Sequence, residues 1–191
     1  MTLTVLAMGL VLTGIVCVLN LLLLLALARR VRDLAAEVAR TRDTGTARDG
    51  FLAIGERPAD FTARTVDGRQ VTPDALTAGT LVGFFSTSCG ACREKIPAFV
   101  EQARELRDQG RLALAVVVTG PEDPRSYVER LEETARVVVE DHEGPVGRAF
   151  KVSAFPSFGV IGEHARVLAV SADPGEAVRA LAPTAPGGAG A

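Results

Sequence analysis

Two cysteines two residues apart, Cys89 and Cys92 in "FFSTSCGACREKIP" (residues 84–97), are the positions in this sequence best suited to chemistry. A C-x-x-C pair can cycle between dithiol and disulfide, supply half of a zinc site, or fill a core as two small hydrophobes. Its flanks favour the first. The apolar run "TLVGFFS" at 80–86 predicts a strand buried on both faces. Apolar residues then recur at Ile96, Phe99, Val100, Ala103 and Leu106, which predicts a helix from Cys92 to Gln109 that stops at Gly110. A chain passing from a buried strand into a helix here sets Cys89 at the helix amino terminus. Unpaired amides and the positive end of the dipole favour a thiolate there. Cys92, one turn on, shares its face and lies within reach of a disulfide. The cycle this predicts is exchange at Cys89 with a substrate disulfide, followed by resolution of the mixed disulfide by Cys92. Gly90 and Ala91 between them leave the sulfurs uncrowded.

Two prolines add to the pattern. Pro97 falls inside the predicted helix, where it removes a backbone hydrogen bond and bends the axis. Pro156, in "AFPSFGVI", directly precedes an apolar run, and an X-Pro bond at such a place is able to be cis. A cis bond beside the cysteines would present the backbone of Phe155 to an extended substrate segment, so Phe155 and Pro156 are candidate substrate-binding residues. Metal binding is disfavoured: zinc needs four ligands and the chain has no second C-x-x-C. His142 and His164 fall in polar loops and are expected at the surface.

The elements that would position this site alternate. "FTARTVDGRQVT" predicts a hairpin turned at Asp67-Gly68, "RLALAVVVTG" at 111–120 a second core strand, residues 124–134 a short helix and "RVVVE" a third strand. "SFGVIG" and "RVLAVS" predict a hairpin around Glu163 and His164, and "PGEAVRALA" a closing helix begun by its proline. The expected class is α/β, with a central mixed sheet flanked by helices.

Outside this domain, residues 3–28 carry no charged side chain, a run longer than the roughly 20 residues a helix needs to cross a bilayer. It exceeds the core of a cleaved signal peptide and has no basic residue ahead of it, so residues 1–28 are expected to be a single uncleaved membrane anchor. Cys17 lies within it, which leaves Cys89 and Cys92 as the cysteines of the soluble part. Residues 29–50 predict a juxtamembrane helix and linker, 51–182 the folded domain and 183–191 a disordered tail. Arg29, Arg30 and Arg32 follow the span, which by the positive-inside rule argues for a cytoplasmic domain. A net charge of −2 without blocks of like charge excludes a nucleic-acid footprint, and three cysteines are too few for a disulfide scaffold.

The motif "FFSTSCGAC" followed by "REKIP", then "FPSFGVI", with "IGERPADFTARTVDGRQVT" ahead of them, resembles the thioredoxin-fold disulfide oxidoreductases, in particular their membrane-anchored TlpA, ResA and MauD-like branch. The resemblance covers about residues 51–182. It implies Cys89 as nucleophile, Cys92 as resolving cysteine, Pro97 as the helix-kink proline and Pro156 as the cis proline. It implies no cofactor beyond the Cys89–Cys92 disulfide. Its implied partners are an upstream membrane electron donor and extracytoplasmic protein disulfides, such as those of apo-cytochromes or maturing redox enzymes. It also places the domain outside the cytoplasmic membrane, against the arginine flank. The sequence departs from the branch at Ser88, where an aromatic is common, in its Gly-Ala centre, and at Phe155 before the proline. It departs again at Gly83, where relatives hold a buried Asp or Asn. Without that acid, proton transfer at Cys92 needs water or another group, with Glu140 and Asp141 as candidates. Two other readings stay open: a tethered binding or chaperone module with a structural disulfide, and a peroxiredoxin-like peroxidase, although Ser86 stands where that chemistry wants a threonine.

Overall fold

The structure is a computed structural model that describes Gly14 and residues 50–181. The chain divides into two compact units, 1–45 and 46–191. The expected anchor, linker and tail lie outside the described residues apart from Gly14 and Gly50. Among the described residues no helix is long and apolar enough to cross a membrane.

Among the described residues of the second unit, seven strands and four helices follow one another. They are β1 (Ala63–Arg64), β2 (Gln70–Val71), β3 (Thr80–Ser86), α1 (Gly90–Asp108), β4 (Ala113–Val118), α2 (Arg125–Leu131), β5 (Arg136–Glu140), α3 (Pro145–Ala149), β6 (Ser157–Ile161), β7 (Val167–Ser171) and α4 (Pro174–Arg179). The main sheet has the order β5-β4-β3-β6-β7. β3, β4 and β5 run parallel, joined by helical crossovers, and β6 and β7 are antiparallel to their neighbours. The apolar runs become the inner strands because both faces are covered: all seven residues of β3 are buried.

Alternation along the strands sorts the core into two layers. Leu81 and Phe85 of β3 face Cys92, Ile96, Phe99, Ala103 and Leu106 of α1, Tyr127 and Leu131 of α2 and Ala177 of α4. Val82 and Phe84 face the other way, onto Val146 and Ala149 of α3 and onto Phe51, Leu52 and Phe61 of the segment that opens the domain. The hairpin of β1 and β2 turns at Gly68, whose φ of 83° suits the left-handed turn position. It leans on the sheet edge, where Thr65 bridges Val138 and the Val66 amide donates to the Val137 carbonyl at 2.8 Å. That contact covers the free edge of β5.

α1 starts at Gly90 with Cys89 as its cap, where the passage from strand to helix predicts it, and the exposed Gly90 and Ala91 precede the apolar periodicity. The sequence pattern misses two features. α3 has five residues, too few for a period to register. The loop between β6 and β7 winds into a 3-10 turn at Glu163–Ala165, with His164 at φ 57°.

Candidate active site

Cys89 is the amino-terminal cap of α1, its backbone still extended at φ −108° and ψ 109°. The strand-to-helix turn that presents it is tied at several points. The Cys89 amide donates to the Ser86 carbonyl at 3.1 Å, the hydroxyls of Ser86 and Ser88 lie 2.9 Å apart, and the Gly120 amide donates to Thr87 Oγ1 at 2.7 Å. Cys89 is half-buried and Cys92 wholly buried, and both are free thiols. The Cys89 thiol donates to the Phe155 carbonyl at 3.5 Å, and the Phe155–Pro156 peptide bond is cis. Four of the residues singled out in the sequence, 66 positions apart at the widest sulfur contact, thus meet at one end of the sheet. Pro97 lies inside α1, which runs unbroken across it. Gly90 and Ala91 are exposed, and a Cβ at position 90 would meet nothing within 4 Å, so the path to the Cys89 sulfur is open.

The two sulfurs differ in environment. Burial pushes the Cys92 thiol up to about 12; the Ser86 amide, donating to Cys92 Sγ at 3.4 Å, opposes this, and Cys89 adds to it. Position 83 explains why no acid stands beneath Cys92. A Cβ on Gly83 would come within 2.6 Å of the Phe99 ring and 3.1 Å of Phe158. Phe85, Phe99 and Phe158 form an aromatic cluster there, with centroids 5.3 to 5.9 Å apart. The glycine makes room for aromatic packing in place of a carboxyl.

Neither acid proposed from the sequence serves Cys92. Glu140 has the strand parity of Val138, which places its side chain in the layer opposite Cys92. There it accepts from the amides of Val146 at 3.0 Å and Gly147 at 2.7 Å, holding the start of α3. Asp141 is exposed and accepts from the Glu143 amide at 3.1 Å. Two residues to which the sequence pattern assigns no part in the site stand near it. His142 is exposed, as expected, but its ring centroid lies 6.4 Å from that of Phe155. Tyr127, the single tyrosine of the chain, is buried in the same layer as Cys92. That it is the chain's single tyrosine was the sequence signal available. Among the described residues no group of three or more His, Cys, Asp and Glu gathers to hold a metal.

A mixed five-stranded sheet with a C-x-x-C pair capping the helix after its central strand, opposite a cis proline, is a thioredoxin-like domain. The AhpC/TSA family model matches residues 54–170, and the chain belongs to that family. Solved structures similar in fold include the thioredoxin domain of a thiol-disulfide oxidoreductase from Bacteroides vulgatus, 17% identical with a TM-score of 0.56, covering 68% of this chain and 96% of that one. A thiol:disulfide interchange protein from Bacteroides sp. is 18% identical with a TM-score of 0.56, covering 68% and 88%. A thioredoxin family thiol:disulfide interchange protein from Chlorobium tepidum is 23% identical with a TM-score of 0.50, covering 64% and 88%. No curated protein matches the chain.

Proposed function

We propose that this protein is a thiol-disulfide oxidoreductase that turns over through Cys89 and Cys92. The observation that carries the reading is the asymmetry of the pair: Cys89 is reachable from solvent beside the Phe155 carbonyl, while Cys92 is closed off one helical turn behind it. A substrate disulfide can therefore meet only one of the two sulfurs. In the reducing direction the Cys89 thiolate attacks a substrate sulfur, the substrate S–S bond breaks, and its second sulfur leaves as a thiolate that takes a proton. Cys92 then gives up its proton and attacks Cys89, the Cys89–Cys92 bond forms, and the remaining substrate thiolate departs. Two electrons pass from the dithiol to the substrate, and an electron donor must restore the dithiol.

The finer reading follows the resemblance to the TlpA, ResA and MauD-like branch. In it, residues 3–28 tether the domain to a membrane, the domain lies on the extracytoplasmic side, and the substrates are protein disulfides of apo-cytochromes or maturing redox enzymes. The backbone beside Pro156 is the surface on which an extended substrate segment would align.

The test is redox titration of the full chain, carrying Cys17→Ala and held in detergent, against glutathione or dithiothreitol buffers. A reversible two-electron couple at about −270 mV supports a reductase, and one at about −120 mV an oxidant that installs disulfides. Absence of any reversible couple removes the enzymatic reading and leaves a binding module.

A further inference from the structure

Cys92 can act only after it loses a proton, and nothing in its immediate surroundings takes one. Its sulfur is wholly buried and accepts from the Ser86 amide, a group that stabilises charge but carries no proton away. Among the buried described residues the other titratable side chains are Glu140 and Tyr127. Glu140 is in the opposite layer and already bonded to two amides. Tyr127 is in the layer of Cys92, 1% exposed, and its hydroxyl has no hydrogen-bond partner. A buried hydroxyl without a partner is uncommon, because leaving it unpaired has a free-energy cost.

The surroundings of that hydroxyl lead outward. Arg93, the residue after Cys92, brings its guanidinium to the phenol without meeting hydrogen-bond geometry. The same guanidinium pairs with Glu122 at 2.5 Å, and both side chains are more than half exposed. The charged and titratable groups that act on the phenol are Cys92 and Arg93 of α1 and Glu122 of the loop ahead of α2. Burial first, and then charge on Cys92 and Glu122, raise its proton affinity, while Arg93 opposes them. The phenol thus feels the charge of Cys92 and that of the solvated Arg93–Glu122 pair.

We propose that Tyr127 is the positioning residue for the Cys92 proton, relaying it between the buried thiol and solvent at the Arg93–Glu122 pair. This rests on the redox reading above. As Cys92 attacks Cys89, its proton passes to the phenol oxygen through an intervening water, while the phenol's own proton leaves to water at the Arg93–Glu122 pair. The phenol is neutral before and after, so the relay consumes nothing, and it runs in reverse when the disulfide is reduced. A neutral relay suits a group whose own ionisation is disfavoured by burial.

The test uses the reduced full chain with Cys17→Ala and the aromatic disulfide DTNB, which releases a coloured thiolate at each step. The first release reports attack by Cys89, and the second reports closure by Cys92. Tyr127→Phe is expected to leave the first phase unchanged and to slow the second about tenfold or more at neutral pH, within the range of positioned proton transfer. The deficit is expected to shrink as pH rises and hydroxide replaces the relay. Glu122→Gln, a surface change that leaves the core intact, is expected to slow the same phase by a smaller factor, and it decides the matter if Tyr127→Phe does not fold. An unaltered second phase in the variants that fold, or equal slowing of both phases, overturns the relay. Absence of a second phase in the unsubstituted chain instead overturns the redox reading itself.

Discussion

Glu140 and Tyr127 are both buried polar side chains on opposite faces of one sheet, and they are treated in opposite ways. The Glu140 carboxylate has two amide donors, and Gly144 lies so close that a Cβ there would overlap it. The amides it accepts from belong to the first turn of α3, so its task is to fasten that turn to β5. Tyr127 has an apolar jacket for its ring and no hydrogen-bond partner for its hydroxyl. A buried group with every valence occupied holds structure, whereas one with a free donor is available to chemistry nearby. The layer that carries Cys92 also gave up its possible acid to the Phe85, Phe99 and Phe158 cluster, so the free phenol stands in the layer with no carboxyl.

The largest test of that difference is to force a carboxyl into the Cys92 layer. Gly83→Asp places a Cβ within 2.6 Å of Phe99 and a charge among aromatic rings. It is expected to cost about 3 kcal/mol or more, through overpacking and an unpaired buried acid. Urea unfolding of the full chain followed by circular dichroism measures it. A loss below about 1 kcal/mol would mean that the rings yield easily, and that aromatic packing is not what keeps an acid from this layer.

Glu140 comes next. Glu140→Ala strands the Val146 and Gly147 amides and is expected to cost about 2 to 3 kcal/mol, with Glu140→Gln losing roughly half of that because one acceptor remains. The pH dependence has a definite sign. Burial is the main cause that raises the pKa of Glu140 above its ordinary 4.5, against the two amides that lower it. The native state therefore keeps this proton to higher pH than the unfolded chain does. Its contribution is fully present below 4.5 and declines as pH rises through the raised native value, after which it is flat. Unfolding free energies of Glu140→Gln between pH 4 and 7 are expected to lack that decline. A slope identical to the unsubstituted chain would assign it to other groups.

The same contrast explains what could be read from the sequence. β3, β4 and β5 were legible because strands covered on both faces are written as unbroken apolar runs, and α1 because its buried side repeats at helical spacing. Cys89, Cys92 and Pro156 were legible because C-x-x-C and X-Pro are local patterns whose meaning does not depend on distant residues. The role of position 83 was not, since a glycine in a strand says nothing of which ring fills the space above it. Nor were the Glu140 bonds to α3, which depend on a five-residue helix with no period of its own. Nothing in the pattern of the short helix predicted over 124–134 sets Tyr127 apart. Only the packing of α1 against α2 reveals that its hydroxyl shares a layer with Cys92 and lacks a partner.

The smallest expected effect sharpens the comparison most. Tyr127→Phe removes one oxygen and keeps the ring, so packing with Leu131 and the α1 residues of its layer is retained. Had the hydroxyl a good partner, its loss would cost about 1 kcal/mol or more, as deletion of one side of a buried hydrogen bond does. Because the hydroxyl has none, its removal discards a desolvated group that returns nothing, and the unfolding free energy is expected to change by less than about 0.5 kcal/mol, toward greater stability if at all. Urea midpoints measured at equal slope read this directly. A destabilisation above about 1 kcal/mol would show the hydroxyl to be as firmly bonded as Glu140. Tyr127 would then be a structural group, and the distinction between the two layers would fail at the residue on which it rests.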